Sequence, residues 1–270
     1  LCGEVVEVGA GVEELAVGQR VACAGNSYAL HAEYNWVPRN LCVPLPDPVA
    51  SEHAAFTTVG AIAMQGYRQS EARLGETACV IGLGLVGQLL VQLLRAAGVN
   101  VVGLDPSTER CRLAERSGAA ACRPPDRASR GPVLEALAAL TDGAGADHVF
   151  LTAGGDTNQP VELAADLARD RARVVDIGKC RLDLPWTEYY AKELEVRFSR
   201  SYGPGRYDPT YEEDGVDYPI GHVRWTERRN MACFLDLVAE GRLDLDLLVS
   251  AVLPFDDAVG AYERIQRGEQ

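Results

Sequence analysis

Gly82, Gly84 and Gly87 stand at G-x-G-x-x-G spacing behind the apolar run Ala78-Cys79-Val80-Ile81, and Asp105 stands 23 residues after the first of them. Residues of these types at this spacing can hold a dinucleotide. Gly82 permits a tight turn, Gly84 lets backbone approach a pyrophosphate, and Gly87 lets a helix pack closely on a strand. The amides that open this helix, at Leu85 and Val86, add N–H donors and the positive end of the helix dipole. Asp105 closes a second apolar run, Val101-Val102-Gly103-Leu104, where a carboxylate can accept hydrogen bonds from ribose hydroxyls. A 2′-phosphate would meet like charge there, so the acid favours NAD over NADP. Pro106 and Ser107 follow it in place of an arginine. Arg110 is the nearest cation, and it either flanks the ribose or sits as a solvated charge on the next helix.

The elements around this motif alternate. From residue 76 onward the pattern predicts strands over 78–81, 100–104, 148–152, 173–177 and 194–199, with a short one within 118–122. Helices are expected near 86–97, 107–117, 131–141 and 160–169, which makes an α/β chain with a doubly wound parallel sheet. Such a sheet binds its ligand at the carboxyl ends of its strands, so Thr152-Ala153-Gly154 and Ile177-Gly178 belong to the same rim as the glycine motif. Residues 1–50 instead read as β-rich, with short strands at 5–8, 19–23 and 32–37. Ser51 is an N-cap candidate for a helix over 51–72, whose small residues imply close packing. Residues 202–228 form a long aromatic loop, and helices near 227–240 and 256–267 follow.

Composition narrows the classes. The chain has 270 residues, 47% of them hydrophobic, and a net charge of −13, which repels nucleic acid and anionic lipid. Small basic clusters such as 224–229 do not reverse that field. No apolar run is long enough to span a membrane. The eight cysteines are scattered without a C-x-x-C pair, so they read as reduced thiols of a cytoplasmic protein, and no structural zinc site is expected. A small-molecule substrate is the expected partner, with a homo-oligomer as a further possibility.

The order of these segments resembles a known family. Val5-Val6-Glu7-Val8-Gly9 with Gly18-Gln19-Arg20-Val21, then Ala32-Glu33-Tyr34, the glycine motif, Ala146-Asp147-His148-Val149-Phe150 and Arg173-Val174-Val175-Asp176-Ile177-Gly178 are similar to the medium-chain dehydrogenase/reductase superfamily, of the zinc-type alcohol dehydrogenase-like kind. The stretch from Tyr202 to Glu227 is most like the dehydrogenase half of bacterial two-domain oxidoreductases, in which a second oxidoreductase domain is fused. The resemblance implies a partial GroES-like catalytic domain over 1–55, an NAD-binding Rossmann domain over 56–201, and a return to the catalytic domain over 202–270. It also implies further strands before Leu1 and after Gln270.

Many relatives hold a catalytic zinc, and the last ligand position before the cofactor domain falls at about Thr57, a poor zinc ligand. The cysteine-rich lobe expected between Val21 and Tyr34 is reduced to Cys23. The resemblance therefore implies a zinc-independent oxidoreductase that moves hydride between nicotinamide and a carbonyl or alcohol, with a sugar or polyol as substrate by analogy. Thr57 and Thr58 are the hydroxyls placed near the nicotinamide by family position. Tyr202, Tyr218 and His222, in the aromatic loop, are candidate proton donors. Two alternatives stay open. One is a zinc-dependent dehydrogenase with ligands upstream, and the other is a nucleotide-binding module without catalysis.

Overall fold

The computed structural model describes residues 1–267; Gly268, Glu269 and Gln270, the end of the last expected segment, lie outside the described residues. A small antiparallel sheet comes first: β1 (Cys2–Glu4), β2 (Arg20–Cys23) and β3 (Cys42–Pro44), in that order. The expected strand at 5–8 stops at Glu4, although Val5 N still donates to Gln19 O. The segment 32–37 is bends and irregular chain rather than a strand, and the third strand lies at Cys42–Pro44. Alternating polarity in 32–37 shows only that the segment can pair, and the sheet is made by β1, β2 and β3 without it.

Helices α1 (Ser51–Ala54) and α2 (Thr57–Ser70) follow, so the single helix expected over 51–72 is broken at residues 55–56. Ser51 is the first helical residue, and Ala50 is the cap. The small residues of α2 do permit close packing. A Cβ on Gly60 would lie 2.3 Å from the Phe234 ring, and one on Gly66 would lie 2.2 Å from Ile177.

Strand and helix then alternate through β4 (Thr77–Ile81), α3 (Leu85–Ala96), β5 (Asn100–Leu104), α4 (Thr108–Arg116), β6 (Ala121–Arg123), α5 (Gly131–Thr141), β7 (Ala146–Leu151), α6 (Gln159–Leu167), β8 (Ala168–Asp176), α7 (Trp186–Ala191) and β9 (Glu195–Phe198). The six strands are all parallel in the order β6-β5-β4-β7-β8-β9. The order in which the chain adds strands reverses between β4 and β7, which places a ligand crevice there, beyond the strands' carboxyl ends. Alternate β4 residues serve two cores: Ala78 and Val80 pack with α3 residues such as Leu89 and Leu90, whereas Cys79 and Ile81 pack with Val161 and Ala164 of α6. This two-sided burial explains the uninterrupted apolar strand sequences.

The closing elements are α8 (Pro209–Glu212), α9 (Glu227–Ala239) and α10 (Ala258–Gln266). A third core joins the small sheet to α2 and α9: Ala22, Leu41 and Val43 meet Ala61, Met231 and Leu235. Gly241, at φ 67, ends α9 by donating to Val238 O, as its position after the last apolar turn predicts. Among the described residues no helix is long and apolar enough to cross a membrane.

Candidate functional site

Three strand ends meet at the carboxyl rim of the parallel sheet, and glycine makes their approach possible. Gly82, at φ 100, lies so near the next strand end that a Cβ would sit 2.5 Å from Ala153 N. A Cβ on Gly87 would lie 2.1 Å from Gly82 O, and one on Gly178 would lie 2.2 Å from Ala153 O. Real Cβ atoms do not tolerate such contacts with backbone, so these three glycines are demanded by the chain itself. Thr152 fastens the rim further, its Oγ1 donating to Gly82 O at 2.5 Å. Gly154 pairs with Lys179, and Gly155 N donates to Lys179 O.

Gly84 is different. A Cβ there would meet nothing within 4 Å, and its φ is −68, which any residue adopts. Nothing in the chain explains a glycine at this position. It caps the N-terminus of α3 with no side-chain capping bond. The first α3 amide with a carbonyl partner is Gln88 N, bonded to Gly84 O. The amides of Leu85, Val86 and Gly87 therefore open a twelve-residue helix with no acceptor among the described residues. An open space beside three unpaired donors at a positive dipole end fits a pyrophosphate.

Asp105 sits one residue beyond β5 and is buried. Its Oδ2 accepts from Leu83 N at 2.7 Å and its Oδ1 from Ser107 N at 2.8 Å, so the acid also fixes the glycine turn. A carboxylate has about four acceptor sites, which leaves capacity for a ribose diol. The guanidinium of Arg110 lies 4.0 Å from Oδ2. Gln88 braces the same corner, donating to Leu83 O and Arg110 O.

The catalytic candidates are more scattered. Thr57 is buried, and its hydroxyl donates to Ala54 O at 2.7 Å, which occupies it in holding the α1–α2 break. Thr58 is half-buried one residue further on. Tyr202 is 3% exposed and packs in the third core; its hydroxyl has no hydrogen-bond partner, and burial pushes it well above the usual tyrosine range. His222 lies exposed in a turn, its amide bonded to Pro219 O. Tyr218 donates to Asp208 and stacks on Tyr211, and the nearby carboxylate pushes it up to about 12. The other histidines tie distant segments together: His31 meets the Tyr262 hydroxyl, His53 meets Asp246 at 2.8 Å, and His148 meets Glu76 at 2.8 Å.

The aromatic segment is built, not loose. Glu227 N donates to Pro204 O, the amide of Asn230 donates to Tyr202 O, and that of Asn40 donates to Tyr211 O, so the segment is sewn onto α9 and the small sheet. Sequence reasoning missed the groups that matter here. Glu227 is fully buried with both carboxyl oxygens unpartnered, and burial, with Glu212 nearby, pushes it up to about 8. In the sequence it looked like an ordinary acid in the first turn of a helix.

Among the described residues no three His, Cys, Asp or Glu side chains converge on one point, and the donors present do not make a zinc site.

Residues 86–213 match the zinc-binding dehydrogenase family, and residues 1–47 match the alcohol dehydrogenase GroES-like domain. The chain is 27% identical over 264 residues to D-guloside 3-dehydrogenase of Escherichia coli (strain K12), covering 96% of this chain and 70% of that protein. It is 24% identical over 301 residues to D-arabitol-phosphate dehydrogenase of Enterococcus avium, covering 99% and 77%. A Sinorhizobium meliloti 1021 structure, assigned as a zinc-binding dehydrogenase and bound to NADP, superposes with a TM-score of 0.69 at 26% identity, covering 92% of this chain and 74% of that one. The chain belongs to the zinc-type alcohol dehydrogenase-like group of the medium-chain dehydrogenase/reductase superfamily, and it is an oxidoreductase with a nicotinamide cofactor.

Proposed function

We propose that this oxidoreductase interconverts a secondary alcohol and a carbonyl on a sugar or polyol, with NAD preferred over NADP. The unexplained glycine at position 84, beside the free amides of Leu85 to Gly87, carries the cofactor reading. Asp105 supports NAD, because its buried carboxylate would confront a 2′-phosphate with like charge at the position of the ribose. The nicotinamide supplies hydride chemistry when bound. Gly82 to Gly87 hold the phosphates, Asp105 and Arg110 hold the adenosine end, and Thr152 to Gly154 with Ile177 and Gly178 line the rim toward the reacting end. The substrate class rests on the relatives, one of which acts on a glycoside and another on a polyol phosphate.

The division into 56–201 for the cofactor and 1–55 with 202–270 for the substrate is part of this reading, and so is zinc independence. The hydroxyl of Thr57, engaged with Ala54 O, supports the latter. The test follows reduced-cofactor absorbance while sugars and polyols are offered with NAD or NADP, before and after chelation. Turnover with NAD that survives chelation is expected. A stronger response to NADP overturns the cofactor assignment, and zinc-dependent turnover overturns the metal assignment.

A further inference from the structure

The first turn of the aromatic segment forms a layered stack. Tyr202 lies in the core; the Arg206 guanidinium sits 5.3 Å from its ring centroid and 4.0 Å from that of Tyr207; the Arg200 guanidinium sits 4.7 Å from Tyr207 on the outside. Ring faces attract guanidinium groups, so the alternation is favourable. The two cations differ in what balances them. Arg206 is paired with Glu212 at 2.7 Å. Arg200 is exposed and, among the described residues, has no carboxylate partner. The stack therefore ends at the surface in one uncompensated positive charge, on a chain whose net charge is −13.

Its place in the fold gives that charge meaning. Parallel pairing of β8 and β9 continues to Ser199 N, which donates to Asp176 O, and then the chains part. Ile177 and Gly178 turn to Leu151 O on the β7 side, whereas the other chain turns through Ser201 (φ 49) to Gly203 (φ 118), which lies against Gln65 and Asn230. Arg200 stands at this parting, at the carboxyl end of the outermost strand β9, on the same rim of the sheet as the glycine turn. Tyr207 is held at φ 67 with its ring more than half exposed, a conformation that costs a tyrosine energy and so is maintained by its surroundings.

We propose that Arg200, with the Tyr207 ring beside it, is the subsite for an anionic group on the substrate, a phosphate ester or a carboxylate. This rests on the sugar or polyol reading above. A guanidinium matches the oxygen geometry of either anion, and Tyr207 offers a flat apolar face to the carbon chain. The protein's own field opposes anions, so a local cation free of acid partners is what such a substrate requires.

The test uses the 270-residue chain with NADH. NADH binding is read first by fluorescence titration, and its failure counts against the cofactor reading alone. The NADH-loaded protein is then titrated with sorbitol, sorbitol 6-phosphate and gluconate. At least one charged probe is expected to bind about tenfold more tightly than sorbitol, and which one does so identifies the anion. Arg200→Gln should abolish that preference, and Arg200→Lys should keep part of it. Equal binding of all three probes, no binding of any, or a preference that survives Arg200→Gln in a protein that still binds NADH, overturns the subsite.

Discussion

At the glycine rim the strand ends are held by backbone against backbone, whereas between Tyr202 and Glu227 the chain is held by side chains, several of them charged. Around Gly82 most contacts are amides, carbonyls and absent Cβ atoms, with the Thr152 hydroxyl and the Asp105 carboxylate as side-chain anchors, so the geometry cannot absorb an added methyl group. In the aromatic segment the contacts are Arg206 with Glu212, Tyr218 with Asp208 and Arg229 with Asp217, over a carboxyl with no partner. The first region is rigid because atoms cannot overlap. The second is conditional, because its cohesion depends on which groups carry charge.

Substitution of Gly87 should give the largest effect. Gly87→Val drives a side chain into Gly82 O, and a loss of about 3 kcal/mol or more is expected from such overpacking, read as a fall in Tm by calorimetry. A variant as stable as the parent would mean that the rim is softer than the aromatic segment.

Glu227 tests the conditional side. Its carboxyl is raised from 4.5 to about 8 in the fold, so the native state keeps a proton that the unfolded chain has released. Stability should therefore decline as pH rises from about 4.5 and level off above about 8. At pH 7 the penalty is about 3 kcal/mol, and Glu227→Gln removes it. Denaturant titrations at pH 5 and pH 8.5 should show a gain for the variant that grows with pH; a pH-independent difference would falsify the buried neutral carboxyl.

Position 84 separates fold from function within the rim itself. Gly84→Val meets no atom of the chain but fills the proposed phosphate space, so NADH affinity should fall by about a hundredfold with Tm unchanged. Unaltered binding would remove the argument for the cradle. Asp105→Asn keeps an acceptor for Leu83 N and gives up the charge; NAD should weaken by about tenfold and its advantage over NADP should narrow, as measured by parallel titrations. The smallest effect belongs to His222, exposed in its turn, where His222→Ala should change stability by less than about 0.5 kcal/mol and leave NADH binding unaltered. A large fall in turnover would restore it as a proton donor.

The cofactor half of the molecule was legible because its rules are local. A buried parallel strand needs a run of apolar residues, a turn at φ 100 needs glycine, and a helix start follows directly; each signal lies within a few residues of its consequence. The expected strands at 5–8 and 32–37 failed because alternation shows that a segment can pair but not that it does. The aromatic segment was less legible. Tyr202, a candidate donor by residue type, lies in the core, and Tyr207 and Arg200 lie outermost.

The sequence by itself determined the strand and helix alternation, the glycine turn, the acid that follows β5 and the family to which these belong, because each follows from short-range stereochemistry and periodic burial. Only the tertiary structure decided that Gly84 has no internal reason to be glycine, that Asp105 also anchors the turn, that Thr57 spends its hydroxyl on a helix break, and that Glu227 is buried without a partner while Arg200 is left unpaired at the sheet's edge. Some of them join residues far apart in the chain, as Asp105 and Leu83 stand 22 positions apart, and others join near neighbours whose conformation the whole fold sets. Burial and the balance of charge are set by all neighbours in space at once, and residue type and spacing along the chain do not encode them.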